Sequence, residues 1–225
     1  MRKKELMKKL RTVSTSNVAD ALDSLSLKGA THGITPMFDC GRILGSAVTV
    51  KITAAGLTRT PIHIGQRAIE AGKRGDVIVI DNGGRTDVSC WGGILGSAAK
   101  AKGIAGVVID GAFRDLDELE EMSFPVFARG VVPMTGRGRI QEDAFNVLVQ
   151  FGGVQVRPGD IVLGDRSGVV IIPQERADEV VGVALGLAEK EDAYIHFLKK
   201  GTSISEVDKK FRYEHMLERK GRVEH

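Results

Sequence analysis

Hydrophobic positions near the start of the chain recur at helical spacing. Leu6, Leu10 and Val13 fall on one face, which predicts an amphipathic helix over about residues 3–13. The polar residues 14–17 then supply capping groups for a second short helix. The chain is therefore expected to open with two helices.

The middle of the chain alternates between short apolar runs and helical segments. Strands are predicted for residues 45–52, 77–80, 106–109 and 125–128, and helices for 61–71, 94–102 (ending at Gly103) and 116–122. Turns at 81–84 and at Asp110-Gly111 should end the second and third of these strands. Strands and helices that alternate with short connections favour a parallel sheet. Apolar runs without alternation indicate that its strands are covered on both faces.

The last third changes to short strands. Residues 154–156, 161–163 and 169–172 are predicted strands, and the turn-forming segments between them favour hairpins. A helix over about 174–199 follows, and then a polar tail. Since no repeat or linker interrupts the chain, we predict a single domain over residues 1–225. Its fold class is α/β, with a parallel βαβ core and additional short β-strands.

Composition agrees with an ordinary globular protein. The 225 residues are 42% hydrophobic and carry a net charge of +3, and they can bury a proper core. Basic residues gather toward both ends, where solvated helix faces explain them better than a nucleic acid does. No apolar run approaches the roughly 20 residues of a membrane span, and the start lacks a secretory signal. With only Cys40 and Cys90 present, we expect a cytoplasmic protein.

Two places suit ligand chemistry, because ligands of parallel α/β layers gather where strands end and helices begin. The first is the helix start Gly92-Gly93-Ile94-Leu95. Its free backbone amides and the helix dipole suit a carboxylate or a phosphate. An alternative is that these glycines only allow close helix packing. The residues alone leave both interpretations open.

The second place is Arg114-Asp115, in a loop after a predicted strand. Arginine pairs bidentately with carboxylates, and one aspartate can anchor a hard divalent ion whose remaining ligands are water and substrate. The alternative is a surface arginine, with Asp115 capping the next helix. By themselves the residues favour that alternative.

Other chemistries find less support. The glycines at 92, 93 and 96 do not match GxGxxG and lie far beyond residue 80, which argues against nicotinamide binding. Cys90 has no evident histidine partner and is expected to be a buried thiol. The five histidines show no metal-binding spacing.

The run from residue 75 to 115, GDVIVIDNGGRTDVSCWGGILGSAAKAKGIAGVVIDGAFRD, resembles the RraA-like family. That family includes 4-hydroxy-4-methyl-2-oxoglutarate aldolases, 4-carboxy-4-hydroxy-2-oxoadipate aldolases and the regulator of RNase E activity. Similarity extends from about residue 14 to 198. The resemblance implies an α/β/β/α sandwich, assembled as a homotrimer or homohexamer with the active site at a subunit interface.

The resemblance also implies roles for individual residues. The amides of Gly92, Gly93, Ile94 and Leu95 would bind the substrate carboxylate. Arg114 would contact the substrate, and Asp115 would hold Mg²⁺ or Mn²⁺. The implied protein is a metal-dependent lyase that cleaves a C–C bond in small 2-oxo acids through a pyruvate enolate, by oxaloacetate decarboxylation, aldol cleavage or both. The alternative is a protein-binding regulator of a ribonuclease, without catalysis.

The chain departs from the family at one position. Aldolases of the family carry an acidic residue twenty-one positions before the arginine, and here Gly93 stands there. This departure bears on aldol cleavage, which needs a base, and leaves decarboxylation untouched. Asp87 or Asp110 is a candidate replacement for that base. Glu189 or Glu191 would match a second acidic residue, which the family takes from a neighbouring subunit.

Overall fold

A computed structural model describes residues 2–58, 60 and 62–212. The chain divides into two compact units. The sheet unit is Gly29–Gln174, and the helical unit combines Met1–Lys28 with Glu175–His225, of which 2–28 and 175–212 are described. The single domain expected over residues 1–225 stays a prediction.

The helices and strands follow one another as the alternating pattern predicts. The strands are β1 (Thr35–Pro36), β2 (Ile43–Ala54), β3 (Val77–Ser89), β4 (Gly106–Phe113), β5 (Val126–Ala128), β6 (Gly130–Val131), β7 (Ile140–Phe145), β8 (Val149–Phe151), β9 (Val154–Val156), β10 (Ile161–Asp165) and β11 (Gly168–Ile172). The helices are α1 (Lys3–Leu10), α2 (Thr15–Ser24), α3 (Gln66–Ala71), α4 (Gly93–Lys102), α5 (Leu116–Glu121), α6 (Ala177–Lys199) and α7 (Ile204–Phe211), with a 3-10 turn at Gln174–Arg176.

The sheet unit is built around four parallel strands. Within the described residues, nine strands form one sheet whose centre is β2, β3, β4 and β5, with Val77 of β3 in register with Ala47 of β2 and Gly106 of β4. Antiparallel β10 and β11 extend one side, and β1 extends the other. The strands β8 and β9 form a separate hairpin. The predicted mixed α/β class, with a parallel core and added short strands, is confirmed.

The core lies on both faces of the parallel strands. Alternate residues such as Ile78 and Ile109 pack with Ala99 of α4 and Leu119 of α5. Their neighbours, such as Val108, pack instead with residues of β8 to β11. All eight residues of β4 are buried, as expected for a strand covered on both sides.

Two predicted strand ends are wrong. The turn predicted at 81–84 is present, since Gly83 and Gly84 have positive φ (62° and 74°) and residues 82–84 are left out of the pairing with β4, but β3 resumes after it and runs to Ser89. Likewise β4 passes through Asp110 and ends at Phe113. A buried carboxylate is tolerated there because Asp110 accepts a hydrogen bond of 2.7 Å from the Gly152 amide and pairs with Arg129.

The helices of the sheet unit begin and end close to the predicted residues, with one exception. Helix α4 ends at Gly103, whose left-handed conformation (φ 81°) closes it as expected. Helix α3 begins only at Gln66, five residues after the predicted start. The segment before it is a loop tied to a buried glutamate, since the Gly65 amide donates to Glu142 Oε2. The predicted first residue, Pro61, lies outside the described residues.

The helical unit contains one helix that the sequence did not predict. Ser14 and Asn17 form a reciprocal capping box at the start of α2, as the capping pattern indicates. A second capping box, of Ser203 and Glu206, begins α7, where only a polar tail was expected. Helix α1 ends at Leu10 and not at residue 13. No helix in the described part of the chain has the length and apolar character needed to cross a membrane.

Candidate functional site

The two candidate segments meet at the carboxyl ends of neighbouring parallel strands. Gly92-Gly93-Ile94-Leu95 follows β3 and forms the first turn of α4, while Arg114-Asp115 follows β4 and leads into α5. The Arg114 amide donates to the Trp91 carbonyl at 3.0 Å, which ties the two connections together. Parallel pairing of β3 with β4 thus brings both predicted sites into one place.

The Asp115 carboxylate is held by two donors. Asp115 Oδ2 accepts a hydrogen bond of 3.0 Å from the Gly93 amide, the first amide of α4. Arg114 Nε lies 3.4 Å from the same oxygen. The side chains of Arg114 and Asp115 are 33% and 29% exposed, so each stays accessible while being fixed. Guanidinium, carboxylate and helix start therefore form one connected group.

The structure rules out the interpretation that the Asp115 side chain caps helix α5. Asp115 occupies the N-cap position of α5, yet its side chain caps nothing in that helix. Its φ of 61° and ψ of 46° are left-handed, an uncommon state for a residue other than glycine and one that clusters at functional sites. This conformation accompanies a carboxylate bonded to α4 and not to α5. The alternative of Asp115 as a cap for its own helix is wrong.

Carboxylates lie against the two consecutive glycines, and side chains at these positions would displace them. An ideal Cβ on Gly92 would come within 2.5 Å of Asp115 Oδ2, and a Cβ on Gly93 would overlap Glu118 Oε2. Close packing explains Gly96 instead, because a Cβ there would overlap Leu119 of α5. Close helix packing therefore holds at Gly96, and ligand binding by the amides of the helix start stays a prediction.

A cavity of about 270 Å³ opens beside this group. Four segments line it: residues 60 and 62–64, residues 89–92 with 94 and 95, Arg114 with Asp115, and residues 135–138 with 140 and 141. Among these described lining residues, Arg114 and Arg137 are cations and Asp115 is the anion. The cavity therefore has the size of a small-molecule site and a wall suited to a small anion.

One wall of the cavity is anchored by a buried carboxylate. The fully buried carboxylate of Glu142, on β7, accepts hydrogen bonds from the Gly65 amide at 3.1 Å and from Arg67 Nε at 2.6 Å. Residues 62–64, which precede Gly65, line the cavity. Glu142 therefore fixes the loop that leads into α3, and sequence reasoning missed both this residue and the loop.

Several other candidates are excluded as reacting groups. Cys90 lines the cavity but is buried, and burial raises the pKa of its thiol to about 12, so it stays protonated near neutral pH, as the sequence predicted. Asp87 is bound to Arg85 at 2.7 Å, and this hydrogen bond lowers the pKa of its carboxyl. Asp110 is bound to Arg129 and Gly152. Neither aspartate lines the cavity.

The two candidate glutamates of the C-terminal helix differ in their surroundings. Glu191 Oε2 accepts a hydrogen bond of 2.6 Å from Asn17 Nδ2, within the helical unit. Glu189 is exposed on α6. A role for either residue in a neighbouring subunit's site stays a prediction.

The donor set of the site suits one class of divalent ion. Among the residues that the structure describes, no group of three or more His, Cys, Asp or Glu side chains could hold a metal. A closed zinc site therefore does not fit. Mg²⁺ or Mn²⁺ does fit, because such ions accept one protein carboxylate and fill their other positions with water and substrate oxygens. Both contacts of Asp115 use Oδ2, which leaves Oδ1 for a cation.

The sequence predicted two of the four segments that line the cavity. Both strand-end segments were singled out, but residues 60 and 62–64 and residues 135–138, 140 and 141 were not. The one available signal was the short run Gly136-Arg137-Gly138, a basic residue between glycines. The approach of these loops depends on pairing between β2 and β7, which local pattern does not encode.

Comparisons with known proteins agree with this fold. A family model described as RraA-like, Aldolase/RraA, matches residues 15–171. A protein of Halalkalibacterium halodurans named "Putative 4-hydroxy-4-methyl-2-oxoglutarate aldolase" is 35% identical over 181 residues, covering 79% of this chain and 80% of that protein. Protein DlpA of Legionella pneumophila is 29% identical over 209 residues, or 93% of this chain. The match spans only 34% of DlpA, about a third of that relative's length.

A solved structure extends the similarity to three dimensions. Streptomyces coelicolor RraAS2, described as an unusual member of the RNase ES inhibitor RraA protein family, superposes with a TM-score of 0.76 at 28% identity. The match covers 84% of this chain and 94% of that one. The mostly parallel sheet is therefore shared with a protein of known structure.

Proposed function

Since the chain belongs to the RraA-like family, we propose that it is a divalent-metal-dependent lyase that cleaves a C–C bond in small 2-oxo acids. The observation that carries this proposal is the connected group of Arg114, Asp115 and the α4 start beside an open cavity. Relatives named as aldolases support the reaction type. Decarboxylation of oxaloacetate and cleavage of 4-hydroxy-4-methyl-2-oxoglutarate are the proposed reactions.

Substrate binding in this proposal uses the backbone amides at the start of α4 together with the side chain of Arg114. The amides of Ile94 and Leu95 belong to the first helical turn, whose N–H groups have no partner inside the helix. With the helix dipole they favour a bound carboxylate. The Gly93 amide is engaged by Asp115 and contributes by fixing that carboxylate.

Catalysis in this proposal depends on stabilising the negative charge that develops on the keto oxygen of the substrate. When the bond to C3 of a 2-oxo acid breaks, its electron pair moves to the keto oxygen and gives a pyruvate enolate. Arg114 supplies a fixed cation for this developing charge, and one preorganised group of this kind typically contributes roughly 3–4 kcal/mol. A Mg²⁺ or Mn²⁺ ion held by Asp115 would supply Lewis-acid stabilisation of the same oxygen. Asp115 also orients Arg114 through their 3.4 Å contact.

We also propose that the chain forms a homotrimer or homohexamer. Ile94 lines the cavity yet is 74% exposed, and Val131 and Met134, in the segment before Thr135, are 48% and 43% exposed. Exposed apolar side chains around a site are typical of a surface that another chain covers. A neighbouring copy would then complete the cavity wall.

Assays of pyruvate release test the proposed activity. Purified protein is incubated with oxaloacetate and with 4-hydroxy-4-methyl-2-oxoglutarate, with Mg²⁺, with Mn²⁺ and with EDTA. We expect pyruvate release that needs the metal, and a loss of about 100-fold or more in Asp115→Ala, because that variant lacks the group that holds the ion and orients Arg114. Asp143→Ala, a change at an exposed carboxylate of β7 that pairs with Lys51, is the control.

Two results would contradict the proposal. One is pyruvate release no faster than the metal alone produces in solution. The other is full activity in Asp115→Ala, which would separate the reaction from this site. Melting curves of both variants show whether any loss comes from unfolding.

The similarity to RraAS2 favours a second candidate function, a protein-binding regulator of a ribonuclease. This alternative needs neither a metal nor Asp115. Co-purification of a ribonuclease that is unaffected by EDTA and by Asp115→Ala, together with no lyase activity, would replace the first proposal with this one.

A further inference from the structure

The carboxylate of Glu118 lies at the start of α4, although the residue belongs to α5. Its Oε2 occupies the space that a side chain on Gly93 would take. Gly93 is flanked by Gly92 and Ile94, which both line the cavity. Because Gly93 has no side chain, the Glu118 carboxylate reaches the helix start directly, between two residues that line the cavity, although Glu118 is not itself a lining residue.

Glu118 differs from Asp87, Asp110 and Asp115, each of which is paired with an arginine. Asp115 is engaged by Gly93 and Arg114, while Asp87 and Asp110 are bound to Arg85 and Arg129. Glu118 is exposed, and its carboxylate forms no hydrogen bond or ion pair with the residues that the structure describes. It is therefore available to accept a proton.

Aldol cleavage has one requirement that decarboxylation lacks. A base must remove the proton of the hydroxyl group on C4, directly or through a water molecule, whereas decarboxylation of oxaloacetate involves no such proton. A carboxylate without a protein partner, beside the proposed substrate-binding amides, is suited to this step.

We propose that Glu118 is the general base for aldol cleavage in this protein. This inference rests on the proposed lyase function. The Glu118 carboxylate takes the proton of the C4 hydroxyl, the C3–C4 bond breaks, and its electron pair moves to the C2 keto oxygen to give the enolate. C4 leaves as the carbonyl carbon of the second product, and the proton is returned to C3 to give pyruvate. No oxidant, reductant or co-reactant is consumed.

Glu118→Gln tests the proposal by comparing the two reactions in one variant. We expect kcat for cleavage of 4-hydroxy-4-methyl-2-oxoglutarate to fall by about 100-fold or more, in the range of a lost general base. Oxaloacetate decarboxylation should change by less than about tenfold, because the enolate is stabilised by the same groups in both reactions. Glu120→Gln, the same charge change two residues further along α5, is the matched control and should keep both activities.

A rescue variant separates a chemical role from a structural one. In Glu118→Ala the space beside Gly93 is vacated, so adding Gly93→Asp places a carboxylate there from α4 and should recover part of the lost aldol cleavage. In the wild-type background the same Gly93→Asp change overlaps the Glu118 carboxylate and should not increase activity. A merely structural loss would not be recovered by adding a charged side chain.

The outcomes distinguish this inference from the function on which it rests. A wild-type protein with neither activity overturns the proposed lyase. A wild-type protein that decarboxylates oxaloacetate but cleaves no aldol substrate overturns the role of Glu118 alone. So does a Glu118→Gln variant that keeps aldol cleavage or loses both reactions equally.

Discussion

At the scale of single residues, the site depends on a complementary fit between two glycines and two carboxylates. Gly92 and Gly93 leave room for Asp115 and Glu118, which reach across from the next strand–helix connection. Asp115 adopts a left-handed backbone state that is unfavourable for most side chains, and a single hydrogen bond to Gly93 ties it to α4. Adding one methyl group at either glycine should therefore disturb the chemistry more than the fold.

Gly92→Ala tests this fit. Its Cβ would come within 2.5 Å of Asp115 Oδ2 and 3.2 Å of Arg114 Cγ, so both side chains must move. Because a displacement of about 1 Å at reacting groups can cost about 100-fold in rate, we expect kcat/KM to fall by that order. Pyruvate release and a thermal melt measure the two effects separately.

Gly182→Ala is the matched control for that prediction. An ideal Cβ on Gly182, in α6, meets nothing within 4 Å. Since alanine is favoured over glycine inside a helix by about 0.5–1 kcal/mol, this variant should keep activity and melt at the same or a higher temperature. Unchanged activity in Gly92→Ala would contradict the proposed fit.

At the scale of elements, the site is formed by connections and not by the strands and helices themselves. Parallel pairing of β3 with β4 places two connections side by side, and each ends in the first turn of a helix. The opposite wall depends on β7, whose Glu142 ties down the loop before α3. Changes at Glu142 should therefore alter the cavity without touching the reacting groups.

Glu142→Gln tests this anchor. The change leaves Arg67 and the Gly65 amide without their buried carboxylate, and we expect a loss of about 1–3 kcal/mol in the free energy of unfolding. At temperatures where the variant is folded, KM should rise more than kcat falls, because the loop lines the cavity but carries no proposed catalytic group. Urea unfolding curves and steady-state kinetics check the two parts.

Asp143→Asn is the neighbouring control in the same strand. Its partner Lys51 lies 3.2 Å away, and both side chains are nearly half exposed, so the loss should stay within about 1 kcal/mol. Equal destabilisation of the two variants would contradict an anchoring role for Glu142.

At the scale of the whole molecule, the proposed assembly concerns the rim of the cavity. Ile94 lines the cavity and exposes apolar surface, as do Val131 and Met134 in the segment that precedes the lining residues 135–138. An oligomer of this chain would bury it and place residues of a second copy near the substrate.

The proposed assembly predicts a definite mass. Light scattering after gel filtration should give three or six times the chain mass of 24.2 kDa. Ile94→Asp should shift the protein toward the monomer, because a charge cannot be buried at an apolar interface without a partner. A wild-type monomer at micromolar concentration would contradict the assembly.

The sequence predicts those features of the molecule that depend on residues close together along the chain, and misses those that depend on partners distant in sequence. The spacing of apolar residues, the capping residues and Gly103 predicted α2, α4, α5 and the parallel strands, because neighbours along the chain decide those features. The same local reasoning ended β4 at Asp110, whose partners Gly152 and Arg129 lie far away in sequence. The pattern of residues around Asp110 cannot reveal that its buried carboxylate has hydrogen-bond and ion-pair partners elsewhere in the chain.

By itself, the sequence determined the fold class, the two strand-end segments and the group of Arg114 with Asp115. Only the tertiary structure decided where the Asp115 carboxylate is bonded, that Glu142 anchors a wall, and that Glu118 fills the space beside Gly93. The physical reason is that helix and strand periodicity follow from adjacent residues. The direction of a side chain instead depends on hydrogen bonds and packing between segments that meet only after the sheet has formed.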